Sequence, residues 1–317
     1  MLSYFIKRLL AVIPILVLTS IIVFAGLQLA PGDPLTHLID PMEMTADFDR
    51  EALEEEYGLN DPIYVQYFSW AGSLIQGELG YSLVNGAKIS DVIFRRLPAT
   101  FELAGAALFI SSILGILLGL ISSIKPNSSI DYFGQGFGVL GVSIPDFFLG
   151  ICAIQIFAVT LGWFPVGGRL EYGTEGFLDR ADHLIMPALI LGFSLTAAVM
   201  RFTRGSMLDI LNKDYIKTAR SKGIPERVVY AKHALRNALM PVVLILMFRL
   251  PFLVGGTIVI ERVFNWPGMG SMIIEAVTGN DYPVIMVTTL LVSYVILLAS
   301  LLVDLITALL DPRVRFE

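Results

Sequence analysis

Runs of about twenty apolar residues alternate with polar stretches along this chain, and a helix needs about twenty to cross roughly 30 Å of hydrocarbon. Six such runs are legible, over about 9–30, 98–124, 134–161, 183–203, 239–260 and 284–310. The pattern predicts an all-α, polytopic membrane protein with six transmembrane helices. Leu9 to Ala30 follows Lys7 and Arg8 as the core of a secretory leader would. It is too long for one, and it runs into PGDP without a small-residue cleavage pattern, so it is expected to remain as the first span.

Several runs carry breakers: Pro145 in GVSIPDFFLG, Pro187 in HLIMPALILG, Gly192, and Pro251 ahead of Gly255 and Gly256. Proline removes a backbone donor and bends a membrane helix, which is tolerable where neighbouring helices or water satisfy the freed carbonyl. Bent, glycine-lined helices suit a pathway that opens alternately to two sides. Glycine serves close helix packing equally well.

The polar stretches differ in charge. Residues 31–97 hold twelve acids and four bases, and 162–182 hold four acids and two bases. Residues 201–241 reverse the balance, with nine Lys or Arg against three acids in a chain of net charge -6. Basic loops stay cytoplasmic, so the loop at 204–238, Lys125, Lys7 and Arg8 are expected inside. Six spans return the tail at 311–317 to the same side. Arg95 and Arg96 then fall outside, where they can snorkel to headgroups, pair with acids of their own loop, or meet substrate.

Residues 31–97 are too long for a turn and too patterned for disorder. MTADFDREALEEEYGL clusters acids at a helix start and has Gly58 at its end, while PIYVQYFSWAGSLI is amphipathic with its aromatics on one side. An extracytoplasmic helical subdomain is expected, either a cap that packs on the spans or a docking surface for an external protein. The membrane-embedded core would be 98–310.

Within the basic loop, DYIKTARSKGIP reads as a short helix with explicit ends. Asp214 can cap its start, Gly223 can take the left-handed position at its end, and Pro225 opens the next helix. At ~1.5 Å per residue, Asp214 to Lys222 makes a rod roughly 14 Å long. Such a rigid knob carries force only if something docks on it.

Composition agrees with the pattern: 55% of residues are hydrophobic and the mean hydropathy is +0.73. The single Cys152 builds neither a disulfide nor a thiolate cluster and reads as a small buried hydrophobe. His37, His183 and His233 are too scattered to ligate a metal, and no GxxxxGK[ST] is present. No catalytic constellation is visible, so this chain is expected to be neither an enzyme nor a nucleotide binder. Charges inside spans cost about 2.5 to 3.5 kcal/mol on insertion scales and must face protein or water. Arg249, in MFRLPFLVGG, is the leading candidate to line a pathway, with an internal ion pair to Asp304 as the alternative. Asp146, beside Pro145, and Asp304 are further candidates.

The run DYIKTARSKGIPERVVYAKHALRNALMPVV resembles the cytoplasmic loop of binding-protein-dependent ABC importer permeases of the peptide and nickel branch. The general importer pattern has Glu and Ala where this chain has Lys217 and Thr218, and TARSKG is similar to that branch. PGDP, EEYGLNDPIYVQY, GELGYSL, ERVFNWPGMG, NDYPVIM and DLITALLDPR extend the resemblance over nearly the whole chain. It implies the six-span type I importer permease fold in a cytoplasmic (inner) membrane. It also implies that Asp214, Tyr215, Lys217, Thr218, Ala219, Arg220, Lys222 and Gly223 sit in a cleft of a separate ATPase. Glu261, Trp266, Pro267 and Gly270 would form an outer turn or gate, and Asp304 would be structural.

The implied partners are a second homologous permease subunit, two ABC ATPase subunits that hold ATP and Mg, and an extracytoplasmic solute-binding protein, all at a lipid bilayer and without nucleic acid. Oligopeptides or dipeptides are the leading cargo; nickel, glutathione and oligosaccharides share the branch. An ion-coupled secondary transporter is the alternative from another class, supported by Asp304 alone.

Overall fold

The structure, a computed structural model, describes residues 2–29, 60–170 and 177–310. The acidic stretch MTADFDREALEEEYGL and the tail DPRVRFE lie outside those residues.

Helix α1 (Leu2–Gln28) is followed by α2 (Ile63–Ile75), α3 (Ile89–Ile124) and α4 (Ser129–Ser143). Next, α5 (Asp146–Ala153) runs on as a π-helix over Ile154–Thr160 and leads to α6 (Phe177–Leu211). The knob is α7 (Asp214–Ser221). A short α8 (Glu226–Val228) passes through a π-helix, Val229–Leu235, into α9 (Arg236–Val263), and α10 (Met269–Thr278) and α11 (Tyr282–Leu310) close the chain.

Five helices are long and apolar enough to span, and the sixth crossing is a broken pair. Residues 129–141 and 146–160 meet at 101°. The expected straight span at 134–161 is therefore two helices. Pro145 has no N–H to donate, and it holds the preceding residue out of helical geometry, so the rod fails there. The helices at Pro187 and Pro251 continue through their prolines.

The bundle is assembled around α3 and α6, which share the most extensive helix–helix contact. Glycine explains the closeness: a Cβ on Gly115 would lie 2.6 Å from Val199 Cβ, and one on Gly119 would lie 2.6 Å from Thr203 Cβ. Small residues four apart let two backbones approach without water to drive them together. At these two positions glycine is close packing.

Ion pairs then mark the two ends of the bundle. At one end Arg204 of α6 grips the buried Asp131 of α4, with Nε to Oδ1 at 2.6 Å and Nη2 to Oδ2 at 2.6 Å, and the Asn127 N–H donates to Oδ2 at 2.8 Å. At the other, Arg96 pairs with Glu275 of α10 at 2.7 Å, and Arg169 pairs with Glu102 at 2.6 Å. The partner of Arg96 comes from α10 and not from its own loop.

The amphipathic α2 lies against the first span through its aromatics. Phe24 meets Tyr67 edge-on at 5.5 Å and Trp70 at 5.8 Å, and the Ser20 and Tyr67 hydroxyls share a 2.8 Å hydrogen bond. This part of the subdomain packs on the spans. Tyr64 and Phe68 of the same helix are exposed.

Candidate functional site

Three places carry the polar chemistry: the knob at one end of the bundle, a buried turn at the other, and a cleft between them.

The knob is held by its own chain. Ile216 and Ala219 are buried with Met207 of α6 and with Val229, Ala234 and Ala238 of the helix that follows. Gly223 has φ +73°, and its N–H donates to Arg220 O at 2.9 Å, while Ile224 N–H reaches back to Ala219 O at 3.3 Å. These crossed bonds are the left-handed helix stop that glycine adopts without a Cβ penalty. Arg220 forks onto Glu226 with contacts of 2.8 and 3.2 Å, which ties the knob to α8.

The start differs from the expectation. Lys213 occupies the cap, and Asp214 is the first helical residue, its carboxylate accepting from Lys217 Nζ at 2.9 Å. Asp214 therefore acts through the helix dipole and not through a side-chain cap. Ala219 faces the protein's own core, while Asp214, Tyr215, Lys217, Thr218, Arg220, Lys222 and Gly223 are exposed. What a partner would meet is a convex, mostly cationic face.

The turn after α9 is interior, a position its apolar neighbours in ERVFNWPGMG do not announce. Trp266 and Glu261 are both fully buried. Trp266 Nε1 donates to Ala99 O at 2.8 Å, and the carboxylate of Glu261 accepts from Thr100 Oγ1 at 2.7 Å and from Ser271 N at 3.0 Å. Thr100 Oγ1 in turn accepts from Met269 N at 2.8 Å. Two of the N–H groups at the start of α10 are thus satisfied by α3 and by Glu261, whose negative charge also suits that helix end. Gly268 passes over the carboxylate so closely that a Cβ would lie 2.2 Å from Glu261 Cδ, and Gly270 lies against Ile258. Pro267 remains exposed.

A second clamp joins segments nearly two hundred positions apart. Asp281, at the start of α11, accepts from the Ser82 hydroxyl and from Leu83 N–H at 3.1 Å. It ties GELGYSL to NDYPVIM, two stretches that sequence reasoning had marked only separately.

The cleft, about 310 Å³, opens where α4 breaks into α5. Gly141, Ile144, Pro145 and Asp146 line it from the break, Ser194, Leu195, Ala198 and Arg201 from α6, and Arg249 from α9. Asp146 and Arg249 therefore meet here, and Asp304 is elsewhere. Arg201, which the sequence groups with the basic stretch, reaches this cleft because α4 packs against α6. Among the described residues neither Arg201 nor Arg249 forms an ion pair, so the Arg249–Asp304 alternative is not formed. Cys152 is only half-buried and free.

A multi-pass helical bundle with an exposed basic knob and a polar cleft at its broken span suits the membrane subunit of a transporter. Residues 113–316 match the family described as binding-protein-dependent transport system inner membrane component, and residues 1–104 match its N-terminal companion. The chain belongs to this family, the non-catalytic permease subunits of ABC importers, and is a multi-pass inner-membrane protein.

It is 42% identical over 318 residues to the oligopeptide transport system permease protein AppB of Bacillus subtilis, covering all of both chains. It is 38% identical over 320 residues to the glutathione transport system permease protein GsiC of Escherichia coli K12, again over all of both. Among solved structures, the inward-facing MetNI methionine ABC transporter shares the fold, with TM-score 0.56 and 18% identity over 69% of this chain and 96% of that one.

Proposed function

We propose that the chain is one half of the translocation pathway for oligopeptides or dipeptides, completed by a second permease subunit. In this reading two ATPase subunits, which bind ATP and Mg, dock on the exposed face of α7, and an extracytoplasmic binding protein delivers cargo at the end marked by Glu261 and Trp266. Both termini are cytoplasmic in this reading, which the charge of the basic knob supports. The relatives named for oligopeptide and glutathione transport support a peptide cargo.

The observation that carries the reading is the construction of the knob. Gly223 closes it, Ile216 and Ala219 root it in the core that joins α6 to α9, and its outer face is left bare. A push there reaches both long helices that line the cleft, as rigid-body alternating access needs. Arg249 and Asp146 line the pathway, and the buried turn around Glu261 stiffens its outer end.

Affinity purification of the chain from its native membrane in mild detergent tests this reading. A second permease and P-loop ATPases should accompany it, with Lys217 and Lys222 crosslinking to the ATPase. Recovery of the chain alone after crosslinking would remove the docking argument and favour an ion-coupled carrier.

A further inference from the structure

Arg201 and Arg249 come from different helices and line the same cleft, with Asp146 as the one acid among its lining residues. The cleft therefore carries one positive charge in excess; Arg249 lies within a span, where a guanidinium must face water or a partner, and both arginines are exposed. Arg96 holds Glu275, Arg169 holds Glu102 and Arg204 holds Asp131, whereas Arg180 of α6 and Arg262 of α9 are, like the two cleft arginines, in no ion pair among the described residues. Arg201 and Arg249 make no ion pair among the described residues, and Arg201 stands a single helical turn from the paired Arg204.

A Cβ on Gly138 would lie 3.7 Å from Arg201 Cγ, so the stem of this exposed side chain runs beside a glycine of α4 on its way to the cleft. The remaining lining is small or apolar, with Ser194 as its neutral hydroxyl. Few polar groups, placed opposite one another on an otherwise apolar wall, are what fixes the orientation of a small ligand. Guanidinium is the side chain best matched to a carboxylate, through paired N–H donors.

We infer that Arg201 and Arg249 bind a carboxylate of the cargo in transit, with Asp146 accepting from its N–H groups. This rests on the peptide-importer reading and sharpens it: the permease itself, and not only its binding protein, reads a charged group. The volume, about 310 Å³, is at the small end of ligand pockets, so the cleft holds one end of a peptide and leaves its length unread. A free C-terminus supplies the carboxylate in every peptide; an acidic side chain supplies it only in some.

The test is uptake by the complete complex in proteoliposomes, with binding protein saturated by each cargo. One tripeptide without acidic residues is compared as the free acid, as the C-terminal amide, and as an amide carrying one glutamate. The acid should be carried at least about tenfold faster than the plain amide, the scale of one charge-assisted hydrogen bond. Arg249→Gln and Arg201→Gln should bring that ratio towards one, and Arg249→Lys, which keeps the charge but not the paired donors, should fall in between.

Uptake of the glutamate amide at the acid's rate would support a site that takes any carboxylate, and uptake at the plain amide's rate would support one that takes the C-terminus. Equal rates for acid and plain amide in the unaltered complex would overturn the inference while leaving the importer reading intact. So would Gln variants that slow both cargoes by the same factor. No ATP-driven uptake of any of the three would remove the importer reading, and this inference with it.

Discussion

Arg204 and Asp131 form a two-pronged ion pair across 73 positions, with both nitrogen–oxygen contacts at 2.6 Å and the carboxylate wholly buried. The pair locks the start of the broken span to the helix that leads into the knob. Removing one partner of such a pair leaves an uncompensated charge and costs about 3 kcal/mol, whereas replacing both by apolar residues costs much less. Asp131→Asn should therefore lower the thermal midpoint of the purified complex clearly, and Asp131→Leu with Arg204→Leu should recover most of it. An unchanged midpoint in Asp131→Asn would show the clamp to be dispensable.

Gly268→Ala should act at a distance from any ligand. The new Cβ would fall 2.2 Å from Glu261 Cδ, forcing the carboxylate off Ser271 N–H and Thr100. Losing a buried charge-assisted bond and repacking the turn costs roughly 2 to 3 kcal/mol. Trp266→Phe loses the bond to Ala99 O and leaves the space of the indole's second ring empty in a fully buried site, so it should cost about 2 kcal/mol or more. Thermal unfolding in detergent reads both, and a midpoint unchanged in either variant would refute this account of the turn.

Substitution of Gly223 separates the knob's shape from its docking. No atom lies within 4 Å of a Cβ built there, so a side chain meets only the left-handed φ of +73°. That penalty is about 1 to 2 kcal/mol for most residues and smaller for Asn or Asp. Gly223→Asp should thus insert and assemble, yet lose at least about tenfold of ATP-driven uptake, since 1.4 kcal/mol of lost docking is enough. Normal uptake by this variant would sink the coupling role.

Asp281→Asn should loosen the loop before α3. Only Asp281 among the bonds described gathers both Ser82 Oγ and Leu83 N–H. Limited proteolysis should cut near Gly77 to Lys88 sooner than in the unaltered protein, with the spans intact. Identical digestion patterns would mean that the Tyr81–Lys88 bridge suffices alone.

Much of this was legible in the sequence, and the rest failed for identifiable reasons. Apolar run length located the spans, because bilayer thickness leaves little freedom. Gly223 and Pro225 fixed the knob's end, because φ above zero and a missing N–H are residue-specific. Its start slipped by one position: an acid serves equally as a cap or in the first turn, and only the backbone decides between Lys213 and Asp214. Pairing was opaque. Nothing local distinguishes Glu275 from the many acids nearer to Arg96, and Arg201 looked like its neighbour Arg204 until the crossing of α4 placed one in the cleft and the other on Asp131. Pro145 announced a break but not its 101°.

That break sets a condition on how the chain can live in a bilayer. Where α4 stops and α5 begins, the final carbonyls of one helix and the first N–H groups of the other have no helical partners. Lipid tails can supply none, so this flank must be wetted or covered by protein at all times. A solitary copy would carry a hydrated notch into the membrane interior, a flaw for both the barrier and the fold. The need for water or a protein neighbour at this flank is thus written into the backbone itself, ahead of any side chain.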